Sequence, residues 1–180
     1  MNLHIIDSFY SSEDFQYMMT ASMLNPYFTT WQPNNKFFVS RTNAYPCFET
    51  KEFQENDITN NIFFKTLKQK TNLKIKNGLT FFRKIYSKEL NKVFKYGMMP
   101  HQDAKKYNFA GIVYYNTLGL DDGTGLFSDY DKDSFQIEPD IIIGAKPNRC
   151  VFYDSQIWHK PLQDKDTEMR VVQPFFITLE

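Results

Sequence analysis

Cysteine is close to missing from this sequence. The only two, Cys47 and Cys150, lie far apart in the chain. They make no disulfide framework, so a reducing compartment is the expectation. Net charge is missing as well: 21 basic residues balance 21 acidic ones. Such a chain has no overall field to hold a nucleic-acid backbone or an anionic membrane. No apolar run approaches the roughly 18 residues that a membrane helix needs. The opening Met-Asn-Leu-His-Ile-Ile-Asp has neither the basic flank nor the apolar stretch of a signal peptide. A cytoplasmic protein is therefore expected. Repeats, low-complexity tracts and signs of a second domain are also missing, and 180 residues suit one domain with one core. Histidine is scarce too. There are three, His4, His101 and His159, so where they fall carries weight.

Aromatic surface is abundant, with 18 Phe and 11 Tyr. These residues favour strands and supply large buried area. Lys, Asn and Ile are frequent as well, a composition typical of an AT-rich genome such as that of a phage or its host. For a phage-encoded chain the expected location is the host cytoplasm.

Residues 3–9 read as a short strand. Ser11 or Ser12 caps a helix over 13–24, with acidic residues in its first turn. Phe15, Met18, Met19 and Met23 form its apolar stripe. Pro26 ends it, because the residue before a proline is pushed out of the helical region. Residues 25–56 read as an aromatic loop with one short strand at Phe37-Phe38-Val39. Trp31, within it, is either substrate-facing or a packing residue. Asp57 caps a second helix reaching Thr71, with Ile58, Ile62, Phe63 and Leu67 on one side. Lys65, Lys68 and Lys70 read as a solvated face near its end.

From residue 79 onward the pattern is strands and turns. Strands are expected at 79–86, 96–104, 107–116, 135–137, 141–143, 150–153 and 169–179. Between them come a basic excursion at 87–95, a turn region at 117–125 marked by Gly119, Gly123 and Gly125, and a turn at Pro147-Asn148-Arg149. Many short strands separated by turns indicate a sandwich or jelly roll. The expected chain is mainly β, with a helical and irregular support region over 1–78 and a jelly-roll core over 79–180.

The chemistry centres on residues 99–103, Met-Pro-His-Gln-Asp. His101 and Asp103 are spaced i, i+2, which on a strand points both side chains to one face. A third ligand brought in by another strand completes a facial metal site, and His159 in Trp158-His159-Lys160-Pro161 is the candidate. Two histidines and one carboxylate with open positions are the ligand set of non-haem Fe(II) oxygenases. A three-ligand open site also suits zinc. Arg170 follows His159 by eleven residues, in a strand-like run. Its planar fork can bind the far carboxylate of an organic acid chelated to the metal, and this tilts the choice to iron.

This ordered set, His-x-Asp, a distal His and then Arg on the last strand, resembles the 2-oxoglutarate/Fe(II)-dependent dioxygenases. The prolyl-4-hydroxylase-like branch is the nearest. The resemblance covers residues 79–180, including Gly111-Ile112-Val113-Tyr114-Tyr115-Asn116 and Asp122-Gly123-Thr124-Gly125-Leu126-Phe127. It implies a double-stranded β-helix of the jelly-roll type. It also implies Fe(II) on His101, Asp103 and His159, with 2-oxoglutarate and dioxygen as cosubstrates. Arg170 resembles the family arginine that pairs with the distal carboxylate of 2-oxoglutarate. Tyr114 resembles the tyrosine that donates to the same carboxylate, with a core aromatic as the even alternative. Tyr86 resembles a further tyrosine on the cosubstrate side. Should the clamp lie elsewhere, Arg83 and Arg149 are next in line. The implied reaction is hydroxylation of a C–H bond in a peptidyl or small-molecule substrate.

Two rival readings use the same barrel. One is a degenerate binding module without turnover, against which the intact ligand set argues. The other is a nucleic-acid demethylase, a branch that usually carries another arginine six residues after the first; here that position is Phe176. The stretch Asp129-Tyr-Asp131-Lys-Asp133 starts like a calcium loop, but Ser134 and Asp140 stand where the loop needs glycine and glutamate. Asp154-Ser155 lacks a Gly-x-Ser-x-Gly elbow and is not read as part of a hydrolase triad.

Overall fold

A computed structural model describes residues 2–29, 47–88, 100–130, 138–164 and 166–180. The expectations for Trp31, the strand at 37–39, most of the 87–95 excursion, residues 96–99, the acidic Asp131 and Asp133, and the strand at 135–137 lie outside these residues.

Both helices begin at the expected caps. In α1 (Ser12–Leu24) the Ser11 hydroxyl accepts the Asp14 N–H at 3.1 Å. In α2 (Ile58–Thr71) the Asp57 carboxylate accepts the Thr59 N–H at 2.9 Å. A side-chain oxygen there satisfies a donor that has no partner within the helix. Asn72 ends α2 in the left-handed region, at φ 57°. Met18, Phe63 and Leu67 are fully buried. Met23 and Ile58, in the terminal turns, are half or more exposed, so the apolar stripes are shorter than their spacing suggests.

The strands, in chain order, begin with β1 (Leu3–Ile6), β2 (Phe28–Thr29), β3 (Phe48–Glu49), β4 (Ile75–Thr80), β5 (Arg83–Tyr86) and β6 (Phe109–Tyr114). Then follow β7 (Gly119–Phe127), β8 (Ile141–Ala145), β9 (Cys150–Asp154), β10 (Trp158–Pro161) and β11 (Met169–Leu179). A large antiparallel sheet runs β1-β9-β6-β11-β5-β3-β2, with β4 also paired to β11. A small antiparallel sheet runs β10-β7-β8. These are the two sheets of a jelly roll.

Alternation along the strands divides the apolar residues into two layers. Val113, Phe152, Val171 and Phe175 pack towards Met18, Phe63 and Leu67 of the helices. Ala110, Tyr114, Val151, Tyr153 and Val172 pack towards Leu126, Ile143 and Ala145 of the small sheet. Arg170, Val172, Pro174 and Phe176 of β11 therefore line the space between the sheets.

Two expectations change. The single strand expected at 79–86 is broken into β4 and β5 at Phe81-Phe82. The cause stands opposite. Pro174 accepts the Phe81 N–H at 3.3 Å but has no N–H to return to that strand, so the ladder is interrupted. Second, residues expected to turn at 117–125 belong largely to β7. Gly123 and Gly125 serve close approach instead of reversal. A Cβ on Gly123 would lie 2.0 Å from the Ile143 carbonyl oxygen, and one on Gly125 would lie 2.9 Å from the Pro139 ring. Of these three glycines, Gly119 alone has the positive φ, 135°, that favours glycine.

Candidate metal centre

The three proposed ligands sit on one two-stranded ribbon. His101 and His159 form an antiparallel bridge in which each N–H donates to the other's carbonyl at 2.9 Å. Two residues on, the Asp103 N–H donates to the Ser155 carbonyl at 3.0 Å, and the Gln156 amide donates to the Asp103 carbonyl at 3.0 Å. The i, i+2 spacing then turns His101 and Asp103 towards His159. One donor atom from each of the three lies within 4.8 Å of the others.

Protonation at this cluster follows from its contacts. His159 Nδ1 is 2.9 Å from the Ile157 carbonyl oxygen. A carbonyl only accepts, so Nδ1 carries the proton and Nε2 presents a lone pair. Burial, with Arg83 nearby, holds the His159 pKa down to about 4 despite that hydrogen bond, so the ring is neutral at pH 7. Burial raises the Asp103 pKa, and His101 and Arg83 oppose the rise. Nε2 and Asp103 Oδ2 are 3.3 Å apart. Two electron-rich atoms at that distance with no proton between them repel, and a shared cation removes the repulsion. The neutral imidazoles and the carboxylate are the states a divalent metal requires. The Ile157 contact is the outer hydrogen bond that orients a ligating histidine.

A stability effect follows for the metal-free protein. An unfolded His159 takes its proton near 6.5, whereas the folded one resists until about 4. The unfolded chain therefore binds more protons in that window, and stability falls as pH drops through it. At about 1.36 kcal/mol per pH unit the His159 contribution is up to roughly 3 kcal/mol. Urea unfolding at pH 7 and pH 4.5 should show this loss, and His159→Gln should remove it from the pH difference. Asp103, shifted the other way, acts in the opposite sense near pH 4 and is common to both proteins. Identical pH slopes for the two would refute the assignment.

Arg170 is fully buried on β11. Its Nη1 donates to the Leu162 carbonyl at 2.8 Å and its Nη2 to the Gly123 carbonyl at 3.2 Å. Among the described residues the buried Nε has no partner, and no carboxylate pairs with the guanidinium. Buried charges are normally paired, so this cation calls for an anion. The two carbonyls are held in turn: the Leu162 N–H donates to the Gly123 carbonyl at 3.0 Å, and Asp122 accepts from the Asp164 N–H at 3.0 Å and the Thr167 hydroxyl at 2.6 Å.

His101, Asp103, His159 and Arg170 line one cavity, together with Thr124, Tyr153 and Arg83. Tyr114 lies beneath it, its ring centroid 5.4 Å from the Arg170 guanidinium carbon and its hydroxyl 2.6 Å from Thr124 Oγ1. Thr124 and Tyr153, not Tyr114, are the hydroxyl-bearing residues that line the cavity. Tyr86 is not brought into the site. On β5 the inward residues are Arg83 and Ile85, so alternation turns Tyr86 to the opposite face, where it meets Phe48 at 5.6 Å between ring centroids. Arg149 is also elsewhere, tied to Asp7 at 2.6 Å. Arg83, named in the sequence only as a fallback, stands on the cavity side and is ion-paired to Glu49 at 2.5 Å. Register along β5 is the signal that identifies it, and that register depends on the break at Phe81-Phe82.

No family model matches the sequence, and neither does any curated protein. Among solved structures, a Pseudomonas putida prolyl-4-hydroxylase aligns with a TM-score of 0.60 at 10% identity, over 99% of this chain and 92% of that one. A 2OG-Fe(II) oxygenase family oxidoreductase from Burkholderia pseudomallei aligns with a TM-score of 0.61 at 6% identity, over 98% of this chain and 85% of that one. A full-length Neurospora crassa protein solved in complex with alpha-KG aligns with a TM-score of 0.57 at 11% identity, over 95% of this chain and 73% of that one. The likeness is one of fold, and it is the jelly-roll fold expected from the sequence.

Proposed function

From a fold shared with 2OG-Fe(II) oxygenases, we propose that this chain is a 2-oxoglutarate- and Fe(II)-dependent oxygenase. It hydroxylates a C–H bond of a small-molecule or peptidyl substrate. One observation carries the reading: a His, Asp, His cluster and a buried arginine with no carboxylate partner among the described residues line the same cavity. A structural histidine cluster has no need of the arginine.

His101, Asp103 and His159 would hold Fe(II), leaving positions for two oxygens of 2-oxoglutarate and for dioxygen. A metal bound there would supply the oxidation, using dioxygen to place one oxygen atom in a substrate C–H bond and the other in succinate, with C1 of 2-oxoglutarate released as carbon dioxide. The protein's part is positioning and water exclusion. Arg170 would receive the distal carboxylate, supplying the anion its buried charge lacks. Thr124 offers a hydroxyl on the same side. Tyr114 supports both from below. Val172, Ile112 and Phe176 keep the cavity walls apolar.

The test is anaerobic addition of Fe(II) and then 2-oxoglutarate, followed by exposure to dioxygen. A metal-to-ligand charge-transfer band should appear on adding 2-oxoglutarate, and succinate should form in air even without substrate, slowly. Absence of both would overturn the proposal.

A further inference from the structure

A second hollow, of about 340 Å³, adjoins the metal cavity and shares Arg83, Asp103 and Phe176 with it. One wall is the stretch carrying Glu49 and Glu52. It is pinned to β4 and β5 by the Thr50 N–H on the Phe82 carbonyl and the Phe53 N–H on the Thr80 carbonyl, each at 3.0 Å. The facing wall is the turn at 104–107, closed by the Tyr107 N–H on the Ala104 carbonyl at 3.1 Å. Leu79, Phe81 and Phe176 form an apolar floor, and Tyr107 meets Phe176 at 5.2 Å between ring centroids. Asp103 closes the inner end.

The hydrogen bonding of Glu49 is one-sided. Its Oε1 takes Arg83 Nε at 2.6 Å, Arg83 Nη2 at 2.5 Å and the Cys47 thiol at 3.7 Å. Its Oε2 accepts nothing from the described residues and is left as an acceptor held in place by the Arg83 pair. Glu52, three residues on, has no ion-pair partner among the described residues. Lys106, which lines the same hollow, rests its Nζ over the Tyr107 ring at 4.9 Å and likewise has no described carboxylate partner. The lining of the groove thus combines carboxylate acceptors, one ammonium and aromatic rings. An internal peptide segment has no terminal ammonium or carboxylate to offer these groups. A nucleic-acid phosphate would meet two carboxylates.

We propose that this groove receives the substrate as a free amino-acid zwitterion with an apolar side chain. Its ammonium lies against Glu49 Oε2 and Glu52, its carboxylate faces Lys106, and its side chain crosses Phe81 and Phe176 towards Asp103. The inference rests on the oxygenase reading above and narrows its substrate class. Arg83 acts here as a positioning residue, fixing Glu49 and separating the substrate's ammonium from the metal cavity.

The test uses the full chain with Fe(II), 2-oxoglutarate and a panel of the free L-amino acids, with succinate release as readout. Calorimetric titration of the same amino acids into the metal-free protein gives a second readout that needs no turnover. At least one apolar amino acid should raise succinate release about tenfold over the rate without substrate. Its N-acetyl derivative and its methyl ester, each lacking one charge, should show an apparent KM at least about tenfold higher. Glu52→Gln and Lys106→Gln, both at exposed side chains, should each raise the amino-acid KM about fivefold and leave the 2-oxoglutarate KM unchanged. The inference fails if no free amino acid stimulates, if the blocked derivatives or internal peptides act as well as the free form, or if both variants keep the parent KM. If the anaerobic charge-transfer band never forms, the oxygenase reading itself has failed.

Discussion

Asp103→Ala is expected to lose most Fe(II) binding and, with it, 2-oxoglutarate turnover. The change removes the only anionic ligand and leaves two neutral imidazoles, His101 and His159, for a divalent ion. It also removes the carboxylate oxygen that lies 3.3 Å from His159 Nε2, so the empty site no longer carries the repulsion that a cation relieves. Both effects weaken the metal site, by well over a hundredfold if the loss approaches the roughly 3–5 kcal/mol typical of breaking a buried charged contact. The fold should survive, because the backbone of residues 101–103 is held by main-chain bonds to His159 and Ser155 that the side chain does not make. Metal content after dialysis against micromolar Fe(II), with circular dichroism as the folding control, measures this directly. Asp103→Ala protein that keeps one Fe(II) per chain would remove Asp103 from the ligand set.

Arg170→Ala is expected to separate cosubstrate binding from metal binding. The guanidinium is fully buried, and its Nε lacks a partner. Removing one side of a buried charge-assisted contact typically costs roughly 2–5 kcal/mol, and each 1.4 kcal/mol is a decade. The anaerobic midpoint for 2-oxoglutarate should therefore rise by at least about tenfold. Fe(II) affinity should barely move, since no ligand is touched. Arg170→Lys should recover only part of the loss, because a point charge cannot reproduce the planar fork. The fork also fixes where the acid sits, being suspended between the Leu162 and Gly123 carbonyls. A lysine would make at most one of those bonds in the same place. An unchanged midpoint in Arg170→Ala would move the clamp to Arg83, the other arginine that lines the cavity.

The site was legible where chemistry is local in sequence or rare in composition. His101 and Asp103 share a face because of a two-residue spacing, and with only three histidines in the chain His159 had little competition. Helix starts were legible because Ser11 and Asp57 act on residues two or three positions away. Arg170 was legible from the β-rich run around it. What was hidden depends on partners distant in sequence. Gly123 reads as a turn signal until Ile143 is brought against it. The face of Tyr86 follows from a strand break whose cause is Pro174, far along the chain. The Glu49–Arg83 pair joins residues separated by a helix and a strand. No local pattern announces it.

The ribbon that carries the three ligands has one further consequence. Among the described residues, the main-chain bonds of His101 and Asp103 go to residues 155–159, which ties the three ligands to one another. Arg170 belongs to the other sheet. The span from metal to clamp is therefore set by the packed layer between the sheets, by Leu126, Val151, Val172 and Ile143, together with the two hydrogen bonds that the Arg170 guanidinium makes across it to the Leu162 and Gly123 carbonyls. Side-chain volume in that layer acts as a spacer. Trimming Val172 or Leu126 would leave the iron as tightly held as before and mis-seat the cosubstrate relative to it. The signature is futile cycling: 2-oxoglutarate consumed without matching substrate oxidation. On the proposed oxygenase reading, coupling efficiency would thus depend on core packing as much as on the named ligands.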